Sequence, residues 1–394
     1  MTLSPSPFPR LRELLHGISS PAGLDSIQLH LGEFRVEPAS GHFTPLANID
    51  GWTRYPPLGG TADLRAAYAR WLERRFGVRH SLHEEKIAIE PSPGTKQAIA
   101  VTVALAVSQA RARGVGAPAV ILPNPFYPTY QAAAEAAGAQ SVFYALDGGN
   151  DASPIAAAVE SVRARVAAIV VCNPGNPCGD ILSSDSLREI GTIASGAQAT
   201  LIVDECYTDL SCGEVPPGYL SVVEEGTAAS APFLVLHSLS KRSGAPGLRS
   251  GFVAGDPTSV AAYASYNRLC GVSTPLPVCA VASALWADDV HVSRLQSSLA
   301  RNWGLADAII GSIPRYRRAE AGLFVWLPVA DDEATARQLW RHHAVTVMPG
   351  RYLGADDANG VNPGSGHVRV ALVHGEAPMR EALTRIRTAI MQNG

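Results

Sequence analysis

The sequence predicts an α/β fold in which a large domain holds a mostly parallel seven-stranded sheet and a smaller α+β domain packs beside it. Through the middle of the chain, seven short apolar runs alternate with helical segments, the rhythm of a parallel sheet covered on both faces. The final stretch, from about residue 286, breaks that rhythm with one long helix and three separated apolar segments. A length of 394 residues also exceeds a single core of roughly 100–200 residues.

In chain order, residues 4–9 (Ser-Pro-Ser-Pro-Phe-Pro) read as an extended arm and residues 11–15 as a short helix. From residue 59 to 76 a Gly pair leads into a helix whose Leu64, Ala67, Tyr68 and Trp71 share one face. Its Arg65, Arg70, Arg74 and Arg75 read as a solvated rim. Strands are expected at 87–89, 119–122, 141–144, 166–171, 200–203, 233–237 and 251–254, with helices at 96–113 and 130–137. Pro and Gly punctuate the strand ends, where open α/β sheets place their ligands. A helix over 291–310, apolar segments at 322–327, 345–348 and 368–373, and a helix over 378–391 complete the chain. Residues 354–366, rich in Gly and Asp, read as one exposed loop.

Bulk composition narrows the function classes. Hydrophobic residues make up 46% and charged residues 17%, the profile of a globular enzyme. A net charge of −3 provides no basic field for nucleic acid, and no apolar run reaches the roughly 18–20 residues that cross a bilayer. The first ten residues hold no apolar stretch of a secretory signal, so a cytoplasmic location is expected. Cys172, Cys178, Cys206, Cys212, Cys270 and Cys279 contain no C-x-x-C pair, and free thiols are expected in place of zinc ligands.

The most informative segment is Ser238-Leu239-Ser240-Lys241-Arg242-Ser243-Gly244-Ala245-Pro246-Gly247-Leu248-Arg249-Ser250-Gly251, which follows an apolar strand. A lysine there, flanked by hydroxyls and near two arginines, suits a Schiff-base amine, because burial and positive charge lower its pKa. Ser238, Ser240 and Arg249 could hold a phosphate. Taken alone, a basic loop after a strand is a surface turn.

The pattern S-x-S-K followed by P-G-x-R-x-G resembles the cofactor-lysine signature of class I aminotransferases dependent on pyridoxal 5′-phosphate (PLP). That resemblance makes Lys241 the Schiff-base lysine, with Ser238, Ser240 and Arg249 on the cofactor phosphate. Other stretches agree in the family's order. Asp204-Glu205-Cys206-Tyr207 resembles its D-E-x-Y motif, with Asp204 pairing the pyridine nitrogen and Tyr207 donating to the 3′ oxygen. Asn173-Pro174-Gly175-Asn176-Pro177-Cys178-Gly179 resembles its N-P-x-N-P-x-G loop, placing Asn176 on the same oxygen. Gly94-Thr95-Lys96 opens a helix whose N–H groups and dipole suit a phosphate. The resemblance further implies that Tyr127 stacks on the ring and that Tyr55 reaches the phosphate of a neighbouring subunit, which makes the enzyme a homodimer with shared active sites. Arg369, in His367-Val368-Arg369-Val370, would fork onto the substrate carboxylate, and Gly32 would let substrate approach the backbone. Phe34 stands where the family more often has proline. The implied fold is type I: residues 1–44 as arm and part of the small domain, 45–285 as the PLP domain, and 286–394 as the rest of the small domain.

Around Lys241, and in Pro123-Asn124-Pro125-Phe126-Tyr127 and Asn362-Pro363-Gly364, the wording is similar to bacterial N-succinyldiaminopimelate aminotransferases. Those enzymes act in lysine and peptidoglycan-precursor synthesis with 2-oxoglutarate as amine acceptor. Arg35, Arg242 and Arg268 are candidates for the distal carboxylates of so long a substrate. An aspartate or aromatic aminotransferase, a PLP-dependent C–S β-lyase, a PLP-binding regulator and a non-enzymatic α/β binding protein are the rival readings.

Overall fold

The computed structural model describes residues 3–35, 40–146, 151–211, 213–270, 273–357 and 359–391, so Cys212 lies outside the described residues. Twelve strands are described: β1 Ile27–Gln28, β2 Ala88–Ser92, β3 Ala119–Asn124, β4 Gln140–Ala145, β5 Val166–Cys172, β6 Thr200–Asp204, β7 Phe233–Ser238, β8 Gly251–Gly255, β9 Phe324–Pro328, β10 Val345–Thr346, β11 Met348–Pro349 and β12 His367–Ala371. Seven of them form one sheet in the order β2-β8-β7-β6-β5-β3-β4. Only β8 runs against its neighbours. The strand β5 shows why these segments extend: Val166 to Val171 are all buried, leaving no face for water, as a doubly covered parallel strand requires.

Two cores sandwich this sheet. Tyr68, Trp71, Leu187, Tyr219, Phe252 and Trp286 fill one side, and Ile99, Val103, Tyr130, Ile202 and Tyr263 fill the other. The helix Ala62–Phe76 delivers Tyr68 and Trp71 to the first; Thr61 caps its start, accepting from Leu64 N at 3.3 Å, and Gly77 ends it at φ 72°. A third core joins Leu29, Leu299, Trp303, Leu327, Leu339, Val370 and Ile386 around the sheet β11-β12-β9.

Three expectations need correction. The arm is not extended throughout, because a helix spans Pro7–Leu15; proline lacks the N–H that a first helical turn leaves unbonded, so Pro7 starts the helix at no cost. Leu11 of that helix packs on Met348, Tyr352 and Leu353, and Arg10 sits 3.8 Å over the Tyr352 ring. The segment 345–348 is two strands, for β10 pairs with β1 in parallel while β11 pairs with β12 antiparallel. The glycine-rich loop after Leu353 is exposed along much of its length, yet Asn362 anchors it by donating to Gly354 O at 3.2 Å, and Gly364 is buried.

Parallel strands β3, β5, β6 and β7 all end at one edge of the large sheet, and β2, parallel to β7, ends there too. Their C-terminal residues lead directly into the segments that the sequence singled out. That edge is where an open α/β sheet presents a ligand site.

Candidate active site

Lys241 lies in the short helix Leu239–Arg242 that follows β7, and its ammonium donates to Gly32 O. The Nζ stands 5.9 Å from the centroid of the Tyr207 ring. Burial lowers the Lys241 pKa below the ordinary lysine value, and the Arg369 guanidinium pushes it the same way. The cation acting on Lys241 is thus Arg369 from β12, not the arginines that flank it in sequence.

Beside it, a chain of hydrogen bonds runs from Tyr207 across to the small sheet. Asn176 donates to the Tyr207 hydroxyl at 3.2 Å, and Arg369 donates to Asn176 Oδ1 at 3.1 Å and to His30 O at 3.2 Å. The Arg369 Nε has no partner, although the residue is only 5% exposed. No carboxylate pairs with this guanidinium among the described residues. Burial pulls its pKa down to about 10. A buried cation without an anion is costly, and a planar fork left open is the form that receives a carboxylate.

Asp204 is the complementary case. It is 2% exposed at the end of β6 and has no cationic partner within ion-pair distance among the described residues. Its Oδ2 accepts from the Tyr130 hydroxyl at 2.9 Å and its Oδ1 from Cys206 N at 3.2 Å. Burial raises its pKa, so it holds a proton, or shares one with a ring nitrogen, more readily than an exposed aspartate. Tyr127, half-buried, packs edge-on against Tyr130 with ring centroids 5.7 Å apart.

The anion-cradling group assembles beside Lys241. Ser238 Oγ accepts from Ser240 N at 3.1 Å and donates to Ser240 Oγ at 3.0 Å. Arg249 adopts left-handed φ 55° and donates to Pro246 O at 2.8 Å and Pro93 O at 3.0 Å, with no carboxylate partner among the described residues. Gly94, at φ 92°, opens the helix Thr95–Ala112, and a Cβ there would stand 2.8 Å from the Arg249 guanidinium. The two hydroxyls, a guanidinium without a carboxylate among the described residues and a helix N-terminus that this glycine keeps open suit a phosphate.

An unpaired buried carboxylate, an unpaired buried guanidinium, a desolvated lysine and a phosphate cradle thus meet at one strand edge. The family model for class I and II aminotransferases matches residues 35–386. The chain belongs to that family. Its members depend on PLP, and the residues present fit that group: an anion-binding cradle, an amine, and a carboxylate for a cationic ring. The aminotransferase is 31% identical to a 4-dedimethylamino-4-oxo-anhydrotetracycline transaminase from Streptomyces rimosus, over 84% of this chain and 85% of that one. It is 26% identical to an LL-diaminopimelate aminotransferase from Desulforudis audaxviator, over 98% and 95%. A crystal structure of an aminotransferase from Neisseria meningitidis superposes with a TM-score of 0.88 at 32% identity, covering 98% of each chain.

Two residues singled out in the sequence are open to solvent. Lys96 is exposed on the first turn of the helix that Gly94 opens, and Tyr55 is wholly exposed. Arg242 is corrected outright as a donor to a distal carboxylate. It is 3% exposed, lies 3.0 Å from Asp209, pairs with Asp289 and donates to Leu285 O at 2.9 Å, so it ties core elements together. Arg35 is paired with Glu33 at 3.4 Å, and Arg268 is exposed on the helix Pro257–Cys270.

Sequence reasoning missed Tyr130 and His30. Tyr130 follows Tyr127 at helical i+3 spacing, a signal that could have aimed it at the same site. His30 lies beside Arg369; its Nδ1 is buried without a partner, and burial, then Arg369 and Arg35, lower its pKa to about 4. With a folded pKa near 4 and an unfolded value near 6.5, the neutral ring stabilises the fold fully above about pH 6.5, and that stability is lost as pH falls toward 4. His30→Gln should therefore lose less in thermal midpoint between pH 7 and pH 4.5 than the parent; an equal loss would exclude His30 as a source of acid sensitivity.

Gly32 gives a second expectation. A Cβ on it would come within 2.6 Å of the Phe324 ring and 3.3 Å of Lys241 Nζ. Gly32→Ala should cost about 1–3 kcal/mol of stability through overpacking, read by denaturant titration, and should reduce turnover by displacing the lysine.

Proposed function

We propose that this PLP-dependent aminotransferase exchanges the amine of N-succinyl-LL-2,6-diaminopimelate with 2-oxoglutarate, a step of lysine biosynthesis. The buried, anion-free Arg369 carries the reading that an amino or keto acid is held by its carboxylate. The diaminopimelate type of substrate is supported by the wording around Lys241 and by the relative that acts on LL-diaminopimelate.

When bound, PLP supplies an electron sink for charge developing at the substrate α-carbon. The chain's own residues do the rest. Ser238, Ser240, Arg249, Gly94, Thr95 and Lys96 would hold the phosphate, Tyr127 would cover one face of the ring, and Asp204 would hold a proton at the ring nitrogen. Asn176 and Tyr207 would donate toward the 3′ oxygen. Arg369, with Gly32 leaving room beside it, fixes the α-carboxylate. Lys241 would take the α-proton as general base; its lowered pKa keeps more of it unprotonated near neutrality.

The homodimer is part of this reading. Tyr55 lies in a stretch of chain with other exposed apolar side chains, Ile49, Trp52 and Leu58, which suit a subunit interface that carries Tyr55 to a neighbouring phosphate. A cytoplasmic location fits the free thiols of the described cysteines.

A second reading, amine transfer to a bulky polycyclic ketone, is favoured by the relative that is a tetracycline-pathway transaminase. A panel of amino donors and keto acceptors on the cofactor-loaded protein decides between them. Succinyldiaminopimelate should be turned over far better than aspartate or tyrosine. Preference for aspartate, an aromatic acid or a cyclic ketone would overturn the narrow assignment, and release of thiol and ammonia from a cysteine conjugate would point to β-elimination.

A further inference from the structure

We propose that Tyr68, His237 and Glu205 form a buried positioning unit that locks the end of β6 to the end of β7 and so sets the spacing between Asp204 and residues 238–241. The inference rests on the reading that Asp204 and Lys241 serve one cofactor. Glu205 directly follows Asp204, and His237 directly precedes Ser238. Tyr68 is fully buried, and His237 and Glu205 are each 1% exposed.

Their side chains form one continuous hydrogen-bonded row. Burial, then Glu205, pushes the Tyr68 pKa well up, so its hydroxyl keeps its proton, and it is hydrogen-bonded to His237 Nδ1 at 2.7 Å. On the other side of the ring, Nε2 is hydrogen-bonded to Glu205 Oε2 at 2.9 Å. The other carboxylate oxygen accepts from Tyr219 N at 2.7 Å. Rings enclose the imidazole: Trp71 at 4.8 Å, Phe76 at 5.4 Å, and Phe252 stacked on Tyr68 at 3.9 Å. The carboxylate has no slack either, since a Cβ on Gly218 would come within 2.9 Å of Glu205 Oε2.

The unit acts where the two strands are about to leave the sheet. Asp204 is in register with Leu236, and Glu205 N donates to Leu236 O at 3.0 Å. Beyond that bond, the Glu205–His237 contact is what continues the pairing of β6 with β7. A shift there moves Asp204 against Ser238 and Lys241, which emerge from the same two strand ends. Asp204 also senses the unit electrostatically: burial raises its pKa, and His237 is among the groups that oppose the rise.

The test compares holoenzymes carrying His237→Phe, His237→Gln and Glu205→Gln with the parent. Three readouts are taken: PLP affinity after stripping and reloading, the pH titration of the bound chromophore, and thermal midpoints. His237→Phe should lose tenfold or more in PLP affinity and move the chromophore's titration midpoint by half a pH unit or more. His237→Gln, which keeps a donor toward Glu205, should restore affinity to within about threefold. Should the Phe variant not fold, Glu205→Gln decides, and it too must shift the titration. Variants that lower only the thermal midpoint, with affinity and titration as in the parent, overturn the positioning role while the parent's PLP uptake leaves the function intact. A parent that binds no PLP overturns both.

Discussion

Lys241→Ala should abolish the lysine Schiff-base absorbance band of the PLP-loaded protein and reduce transamination by about 10²–10⁴-fold or more, the range that a positioned general base contributes. No second amine is placed to replace it: among the described residues the nearby cation is Arg369, whose guanidinium does not deprotonate in water near neutrality. Lys241→Arg is expected to be as inactive, since it keeps a charge and loses the nucleophile. Stability should change little or rise, because the lysine ammonium is desolvated and, among the described residues, hydrogen-bonds to Gly32 O alone. Absorbance and single-turnover assays check both halves. A Lys241→Ala protein that retains the band and its turnover would refute the assignment.

Arg369 carries the second large effect. Arg369→Ala should lower kcat/KM for every carboxylate substrate by about 3–4 kcal/mol, or ~10²–10³-fold, mainly through KM. Arg369→Lys should recover only part of this, because an ammonium cannot offer the planar fork. Substrate-free stability should move in the opposite direction. The guanidinium is buried without an anion, so Arg369→Met, of similar bulk, is expected to hold or raise the thermal midpoint. Steady-state kinetics on two amino acids and a melting scan suffice, and a Met variant both active and less stable would contradict the argument.

Much of the fold was legible because the parallel sheet is buried on both faces. Such strands must be near-continuous apolar runs, and the seven runs that stand out in the sequence correspond to β2 through β8. The helices Pro257–Cys270 and Leu276–Ala287 were not legible for the same reason turned round. The second is apolar on nearly every side and packs on the helix Ala62–Phe76, so it has no periodic polar face to announce a helix. Segment 345–348 shows a different limit: periodicity cannot tell that Val345 and Met348 pair with different partners.

For the candidate site, the motif residues sit at strand ends whose order the sequence itself reveals. What surrounds them does not follow from it. Arg242 reads like any cation beside a functional lysine, and only its burial against Asp209 and Asp289 shows that it belongs to the core. Tyr130 and His30 carry no motif, and their importance appears only when β6 and β12 bring Asp204 and Arg369 beside them.

The short parallel strand β1 has a consequence for synthesis of the protein. Its partner β10 is encoded roughly 300 residues downstream. At ribosomal speeds of about 5–20 residues per second, the nascent segment waits on the order of 15–60 s before its neighbour exists. During that interval Ile27 and Leu29, both destined for burial, have no native cover. The third core can close only once Leu383 and Ile386 have been made, which makes the growing chain a natural client for chaperones that shield apolar segments.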